Sequence, residues 1–154
     1  MLGCALCSAA AYAYNPPNQV NHCHFHHSNR GGDLKEETQS RDVLPEFLNG
    51  RPPHIKKIYQ EAVHHKKLLN YIPCYCGCYE SAGHMDTYQC FIAKELPNGR
   101  ILWDEHAANC GICLDTAHTA ILNFKEGKTI KEVRKIIDER YKKGFKKPTP
   151  TPLP

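Results

Sequence analysis

Six cysteines between residues 74 and 113 are the residues of this chain whose type and spacing best suit chemistry. The sequence contains nine cysteines, and the six of this group are Cys74, Cys76, Cys78, Cys90, Cys110 and Cys113. In the first three a thiol occurs at every second residue, so an extended segment would direct all three to one side. Gly77 can adopt a positive φ angle and fold the chain back, which would bring neighbouring sulfurs to one centre.

The segment Cys110-Gly111-Ile112-Cys113 supplies the second half of the expected site. At the start of a helix, two cysteines three residues apart lie on one face. The unpaired N–H groups and the positive end of the helix dipole lower the thiol pKa there and favour the thiolate, which binds metal or attacks disulfides. Two histidines are further candidate ligands: His84, which follows the first cysteine group, and His106, which would lie one turn before Cys110 in a helix that begins by residue 104.

Three chemistries remain open for these residues. Six thiols exceed the four donors of one tetrahedral zinc site, so a metal site would use four of them or form a thiolate-bridged cluster of a soft ion such as Cu(I). Alternatively, the first three cysteines form structural disulfides with the last three. The third chemistry is thiol–disulfide exchange at the C-x-x-C of residues 110–113, although the sequence lacks the βαβ context of a thioredoxin-like domain. An iron–sulfur cluster is less favoured, because the cysteines match neither the bacterial nor the plant-type ferredoxin spacing. We favour the metal site, with copper or zinc as the ion.

A second group of candidate ligands lies nearer the N-terminus, at His22, Cys23, His24, His26 and His27. Such a group of imidazoles and a thiol suits borderline metals such as Zn²⁺, Cu²⁺ or Ni²⁺. The surrounding segment 15–40 is rich in polar and charged residues with little apolar periodicity, so we expect a flexible lead-in. A flexible segment would bind metal with low affinity, either as a collecting arm or incidentally.

The elements that must position the site are predicted to be mainly helical. Apolar residues from Ile55 to Ile72 recur at helical spacing and predict one helix of about 17 residues that stops before Pro73. Asn98-Gly99 favours a tight turn, so residues 90–93 and 100–103 are predicted to form a β-hairpin.

Two more helices are predicted in the C-terminal part. Helical spacing returns after residue 109 and stops near Gly127, and a capping box of Thr129 and Glu132 starts a last helix that ends at Gly144. Residues 146–154 form an extended Pro/Thr tail. The predicted fold is therefore a mainly α (α+β) domain over residues 41–145, with about three amphipathic helices and one β-hairpin around a Cys-rich site, and with flexible tails.

Composition limits the class of protein. A chain of 154 residues has the length of one domain and can bury a core without covalent cross-links. The net charge of +4 comes without a basic stripe or interleaved aromatic residues, so nucleic-acid binding is not expected. No Ser–His–Asp constellation, phosphate loop or paired acidic motif argues for hydrolysis or nucleotide chemistry, so nothing here predicts an enzyme.

Residues 1–14 resemble a truncated export signal. Ala11-Tyr12-Ala13 has the A-x-A form of a signal-peptidase site, although no Lys or Arg precedes Arg30. Leu2-Gly3-Cys4 also matches the last part of a bacterial lipobox, in which Cys4 would carry lipid. Both interpretations predict an extracytoplasmic protein, either secreted or anchored to a membrane as a lipoprotein, and the alternative is a short apolar N-terminus of a cytosolic protein.

The order of these motifs resembles the bacterial family named for its PCYCGC motif. The resemblance is carried by Pro73-Cys74-Tyr75-Cys76-Gly77-Cys78, by Trp103-Asp104-Glu105-His106 and by Cys110-Gly111-Ile112-Cys113-Leu114, and it runs from about Leu44 to the tail. Members of that family are mostly predicted secreted proteins or lipoproteins of unassigned function, so the resemblance implies an extracytoplasmic address and does not choose among the three chemistries.

We therefore predict an extracytoplasmic Cys-rich protein that binds copper or zinc for delivery, storage or detoxification. The alternatives are a disulfide-stabilised structural or interaction domain and a thiol–disulfide oxidoreductase that uses the C-x-x-C of residues 110–113.

Overall fold

The computed structural model describes residues 32–154, and helices dominate this part of the chain as the sequence predicts. The helices are α1 (Pro53–His64), α2 (Lys66–Leu69), α3 (Cys78–Ala82), α4 (Gly111–Lys125) and α5 (Ile130–Arg140), and the strands are β1 (Lys35–Thr38), β2 (Ile92–Glu95) and β3 (Ile101–Asp104). The signal-like segment with Cys4 and the His-rich segment at residues 22–27 lie outside the described residues. Within residues 32–154, no helix is long and apolar enough to cross a membrane.

Helix α1 carries the predicted apolar face but is shorter than expected. It begins with a proline at its first position, Pro53, and its buried residues are Ile55, Ile58, Tyr59, Ala62 and Val63. The prediction of one continuous helix is wrong, because the chain departs from helical geometry at His65 and α2 is a separate turn. The Nδ1 atom of His65 lies 2.7 Å from the carbonyl oxygen of Glu61, which would accept the backbone N–H of His65 in a continuous helix.

The predicted hairpin is present, and a third strand joins it. Strands β2 and β3 pair antiparallel across a turn in which Asn98 and Gly99 both have positive φ angles. Strand β1 pairs with the other edge of β3, which gives the order β1-β3-β2. Strand β1 was not predicted, because the sequence indicates a flexible lead-in over residues 15–40. Trp103 anchors β1 by donating a hydrogen bond of 2.8 Å from Nε1 to Thr38 Oγ1.

Helices α4 and α5 follow the prediction at most of their ends. Gly127, with φ +90°, follows α4, and both hydrogen bonds of the capping box at Thr129 and Glu132 are formed. Helix α5 ends at Arg140 rather than at Gly144, and the chain continues through turns.

Tyr59 connects the core to the loop that carries the candidate site. Its ring is fully buried and lies edge-on to Phe91, with ring centroids 4.8 Å apart. Its hydroxyl donates to the carbonyl oxygen of Asp104 at 2.8 Å and accepts the backbone N–H of Ala108 at 3.0 Å. The segment from Asp104 to Ala108 is therefore fixed by a side chain of α1.

The C-terminal tail is extended and lies against the first cysteine segment. The backbone N–H of Thr149 donates to the carbonyl oxygen of Cys74, and the backbone N–H of Cys74 donates to Thr149 Oγ1, both at 3.0 Å. The backbone N–H of Lys146 donates to the carbonyl oxygen of Tyr75 at 3.1 Å. Thr149 is only 2 % exposed. The tail thus satisfies backbone groups of a segment that belongs to neither a helix nor the sheet.

Candidate metal centre

The structure brings all eight predicted ligands of the domain together beneath its surface. Close groups of ligand atoms, each with mutual distances of no more than 4.8 Å, include between them Cys74, Cys76, Cys78, Cys90, Cys110, Cys113, His84 and His106. All of these residues are buried except Cys76, which is partly exposed. The six cysteines are free thiols.

The first cysteine segment folds back at Gly77, as its sequence predicts. Gly77 has a φ of +92° and immediately precedes α3, so Cys78 starts a helix while Cys74 and Cys76 lie before it in a segment that is neither helix nor strand. The Sγ atoms of Cys74 and Cys76 are 3.3 Å apart. Cys78 turns towards a different neighbour, Cys90, with 3.6 Å between the two Sγ atoms.

The second cysteine segment lies at the start of α4. Cys110 is the N-cap residue in an extended conformation, and Cys113 lies in the first turn. The Cys113 Sγ atom lies 3.4 Å from that of Cys74 and 3.5 Å from that of Cys76, so the two segments meet there. His106 lies in a 3₁₀ turn, His106–Asn109, and not in α4. The helix assumed for this residue is therefore wrong, but its side chain still reaches the site.

His106 is held in one orientation by a carboxylate. Its Nδ1 atom lies 2.8 Å from Asp33 Oδ2, and its Nε2 atom lies 3.7 Å from Cys76 Sγ. An Nδ1–H that donates to the carboxylate places the lone pair for a metal on Nε2, which is the usual arrangement of a metal-binding histidine. The hydrogen bond with His106 lowers the pKa of Asp33. Burial opposes the charged form of His106, but Asp33 and the neighbouring thiols raise its pKa overall.

His84 occupies the other end of the cluster. Its Nε2 atom lies 3.6 Å from Asp104 Oδ2, and a ring nitrogen is within 4.8 Å of the sulfurs of Cys78 and Cys90. Its Nδ1 atom is buried and has no hydrogen-bond partner. Burial acts against the imidazolium, but Asp104 and Cys90 raise the pKa of His84 to about 9. The two imidazoles meet edge to face, and the ring centroids of His84 and His106 are 4.8 Å apart.

The thiols differ in their tendency to ionise. Hydrogen bonds from neighbouring thiols, with Cys110 and Cys113 contributing most, lower the pKa of Cys76. Burial raises the pKa of Cys113 well above its ordinary value. The metal-free cluster therefore favours a thiolate at its partly exposed thiol and retains protons deeper inside, where a cation would replace them.

The spacing of the donor atoms matches tetrahedral metal coordination. A zinc ion with bonds of about 2.3 Å to sulfur and about 2.1 Å to nitrogen holds neighbouring sulfurs about 3.8 Å apart, and a sulfur and a nitrogen about 3.6 Å apart. Within the close group of Cys76, His106, Cys110 and Cys113, the sulfurs of Cys76 and Cys113 are 3.5 Å apart, and Cys76 Sγ lies 3.7 Å from His106 Nε2. A disulfide bond would require about 2.05 Å. Cys76, His106, Cys110 and Cys113 thus offer the three sulfurs and one nitrogen of a tetrahedral site.

Two carboxylates of this site were missed by the sequence analysis. Asp33 precedes strand β1 in the segment expected to be flexible, and no motif marks it. Asp104 was quoted only as part of a family motif, although it lies two residues before His106 and accepts the backbone N–H of His106 at Oδ1, at 2.9 Å. Its place beside a candidate histidine ligand was the one available signal.

These features define a small, mainly α protein with a buried Cys/His cluster that could hold a metal ion. Residues 2–154 match the family described as "Protein of unknown function with PCYCGC motif", and the chain belongs to that family. The comparisons with curated proteins and with solved structures gave no match.

Proposed function

We propose that this protein binds a soft or borderline metal ion, copper or zinc, at the Cys/His cluster. The observation that carries the proposal is the convergence of six free thiols and two imidazoles, with one imidazole already oriented by Asp33. Thiolate and imidazole ligands suit zinc, and thiolate-rich sites also select Cu(I), whereas magnesium and calcium take oxygen ligands.

The geometry supports metal binding over thiol–disulfide exchange. An oxidoreductase of that kind presents a reactive, partly exposed thiol to its substrate. The two cysteines of the C-x-x-C are almost completely covered, since Cys110 is 2 % exposed and Cys113 is 0 % exposed. A small cation can reach thiols that a protein disulfide cannot approach.

We further propose an extracytoplasmic location and a role in metal delivery, storage or detoxification. The support comes from the signal-like residues 1–14 and from the resemblance to secreted proteins and lipoproteins. In an oxidising compartment buried thiols at these distances would tend to form disulfides, and a bound metal ion would keep them reduced.

Membrane anchoring depends on Cys4. Radiolabelled fatty acid should be incorporated by the unchanged chain and not by the Cys4→Ser variant, whereas equal incorporation would contradict lipidation at this residue.

Mass spectrometry under native and denaturing conditions tests metal binding directly. The full chain is purified from an oxidising compartment without reductant, stripped of metal, incubated with Zn²⁺ or Cu(I) and then freed of excess metal. We expect mass that is gained natively and lost on denaturation, with free thiols in the denatured protein. A denatured mass about 6 Da below the reduced mass, without any bound ion, would instead establish three disulfides and refute the proposal.

A single substitution locates the ion. Cys76→Ser should lose metal, because Cys76 contacts two other sulfurs and the Nε2 atom of His106. Cys23→Ser removes a thiol of the His-rich segment and serves as the matched control, which should retain the tightly bound metal. Full retention of metal by Cys76→Ser would show that the cluster is not the site.

A further inference from the structure

The donors of the cluster outnumber the ligands of one tetrahedral ion, and they divide into two equal sets. Cys76, Cys110, Cys113 and His106 form a set in which every ligand atom lies within 4.8 Å of the others, and we call it site A. The remaining donors are also three thiols and one imidazole. These are Cys74, Cys78, Cys90 and His84, which we call site B.

The donors of site B lie close to one another. The ligand atoms of Cys78, Cys90 and His84 have mutual distances of no more than 4.8 Å, in a close group that also contains His106 of site A, and the sulfurs of Cys78 and Cys90 are 3.6 Å apart. The sulfur of Cys74 lies within 4.8 Å of that of Cys78 in one close group and of that of Cys90 in another. Site B therefore has the donor set of a second three-sulfur, one-nitrogen centre.

His84 provides independent evidence for a ligand at site B. The residue is only 6 % exposed, and its Nδ1 atom is a buried polar atom without a hydrogen-bond partner. An unsatisfied buried nitrogen is costly in a folded protein. Coordination to a metal ion would satisfy it, and an ion confined to site A would not.

A carboxylate also lies near each of the two histidines, and Asp33 is close to both of them. Asp33 Oδ2 lies 2.8 Å from Nδ1 of His106, and Asp104 Oδ2 lies 3.6 Å from Nε2 of His84. A carboxylate at one ring nitrogen fixes the tautomer and leaves the other nitrogen for a metal. The contact of 2.8 Å at His106 has the length of a hydrogen bond, whereas the contact of 3.6 Å at His84 is an ion-pair distance without one.

We propose that the cluster is a binuclear centre that holds one divalent ion in site A and a second in site B. This inference rests on the proposed function, because it concerns the number of ions and not whether metal binds. The two sites are adjacent, since the Cys74 sulfur of site B lies 3.3 Å from Cys76 Sγ and 3.4 Å from Cys113 Sγ of site A. Filling of one site should therefore affect the affinity of the other.

Counting zinc ions in the full chain tests the proposal. His22, His24, His26 and His27 are replaced by Ala and Cys23 by Ser in this background, so that the N-terminal segment contributes no zinc. Native mass spectrometry after incubation with excess Zn²⁺ and buffer exchange should give two ions for each chain. In the same background His84→Asn should retain one ion, and the surface variant His64→Asn should retain two.

A cobalt titration of the protein with its cluster unchanged does not depend on the folding of any cluster variant. The ligand-field absorption of tetrahedral Co²⁺ and the sulfur-to-cobalt charge-transfer band should rise until two equivalents have been added. Saturation at one equivalent, or one zinc ion in this background, would overturn the binuclear proposal and leave the proposed function intact. Two ions in His84→Asn would overturn the assignment of site B. No ion at all would refute both proposals.

Discussion

Replacement of Asp33 by asparagine tests whether a carboxylate from outside the cysteine segments tunes the metal centre. Asp33→Asn keeps the shape of the side chain and an oxygen that can accept the Nδ1–H of His106, but it removes the negative charge. Outer carboxylates behind ligating histidines typically contribute a factor of 10–100 to metal affinity, or about 1.4–2.7 kcal/mol. The contact of 2.8 Å has the length of a charge-assisted hydrogen bond. Because the Asp33 side chain is 23 % exposed, water can replace part of its effect, and we expect a loss of about tenfold.

The assay is competition for Zn²⁺ with a chromophoric chelator at constant pH. Asp42→Asn is the matched control, because it also removes a carboxylate beside a histidine. Asp42 Oδ1 lies 3.6 Å from Nε2 of His64, but that pair lies at the surface and away from the cluster. Asp42→Asn should leave the zinc affinity unchanged. An affinity for Asp33→Asn equal to that of the unchanged protein would refute the assignment of His106 as a ligand oriented by its carboxylate.

Three further predictions concern protons, the turn at Gly77 and the tail. Because burial raises the pKa of Cys113, zinc must displace a proton from this thiol, and the zinc affinity should rise with pH. Calorimetry in buffers of different ionisation enthalpy should detect the released protons. Zero proton release would contradict this prediction. Gly77→Ala should cost about 1–2 kcal/mol for the positive φ and should also weaken zinc binding, because its Cβ would lie 3.2 Å from a lysine side-chain carbon. Gly83 has a similar φ but open space around its Cα, so Gly83→Ala is the control that should show the backbone strain alone. Thermal unfolding measures the loss of stability and zinc competition measures the affinity. Equal zinc affinities of the two variants would argue against a close-packed turn at residue 77. Thr149→Val should cost about 1–3 kcal/mol in chemical unfolding, because it leaves the buried N–H of Cys74 without its acceptor, whereas an unchanged midpoint would show that the tail does not support the site.

Local geometry explains why the sequence could indicate the candidate ligands. An alternating run of cysteines, a glycine able to adopt a positive φ, and two cysteines three residues apart at a helix start each place thiols within a few residues. The hairpin and the capping box at Thr129 were predictable for the same reason. Each depends on residue types at fixed short spacing, and the structure shows both.

The parts that were missed depend on contacts between distant segments. Strand β1 has the sequence Lys-Glu-Glu-Thr, without an apolar alternation, and it is a strand because β3 offers it a free edge. Asp33 reaches His106 only because this pairing brings the preceding residues over the cluster. Similarly, α1 ends before His65, whose ring nitrogen contacts the carbonyl oxygen of Glu61, although the apolar pattern there predicts a longer helix. Helix and strand propensities and the periodicity of apolar residues do not report contacts between distant segments or between a side chain and the backbone.

The candidate site borders the hydrophobic core, which includes five of its six cysteines. The core contains α1, α4 and the aromatic residues around Tyr59, which bury apolar surface whether or not a metal is present. The ligands come instead from loops, short turns and helix starts, where thiols from distant segments can approach one another. Three anchors of these segments are polar: the Tyr59 hydroxyl on the loop before His106, Thr149 on the backbone of Cys74, and Asp33 on the ring of His106. None of these three contacts uses an atom that would bind the metal, so all three can orient the cluster while a cation replaces protons on the thiols.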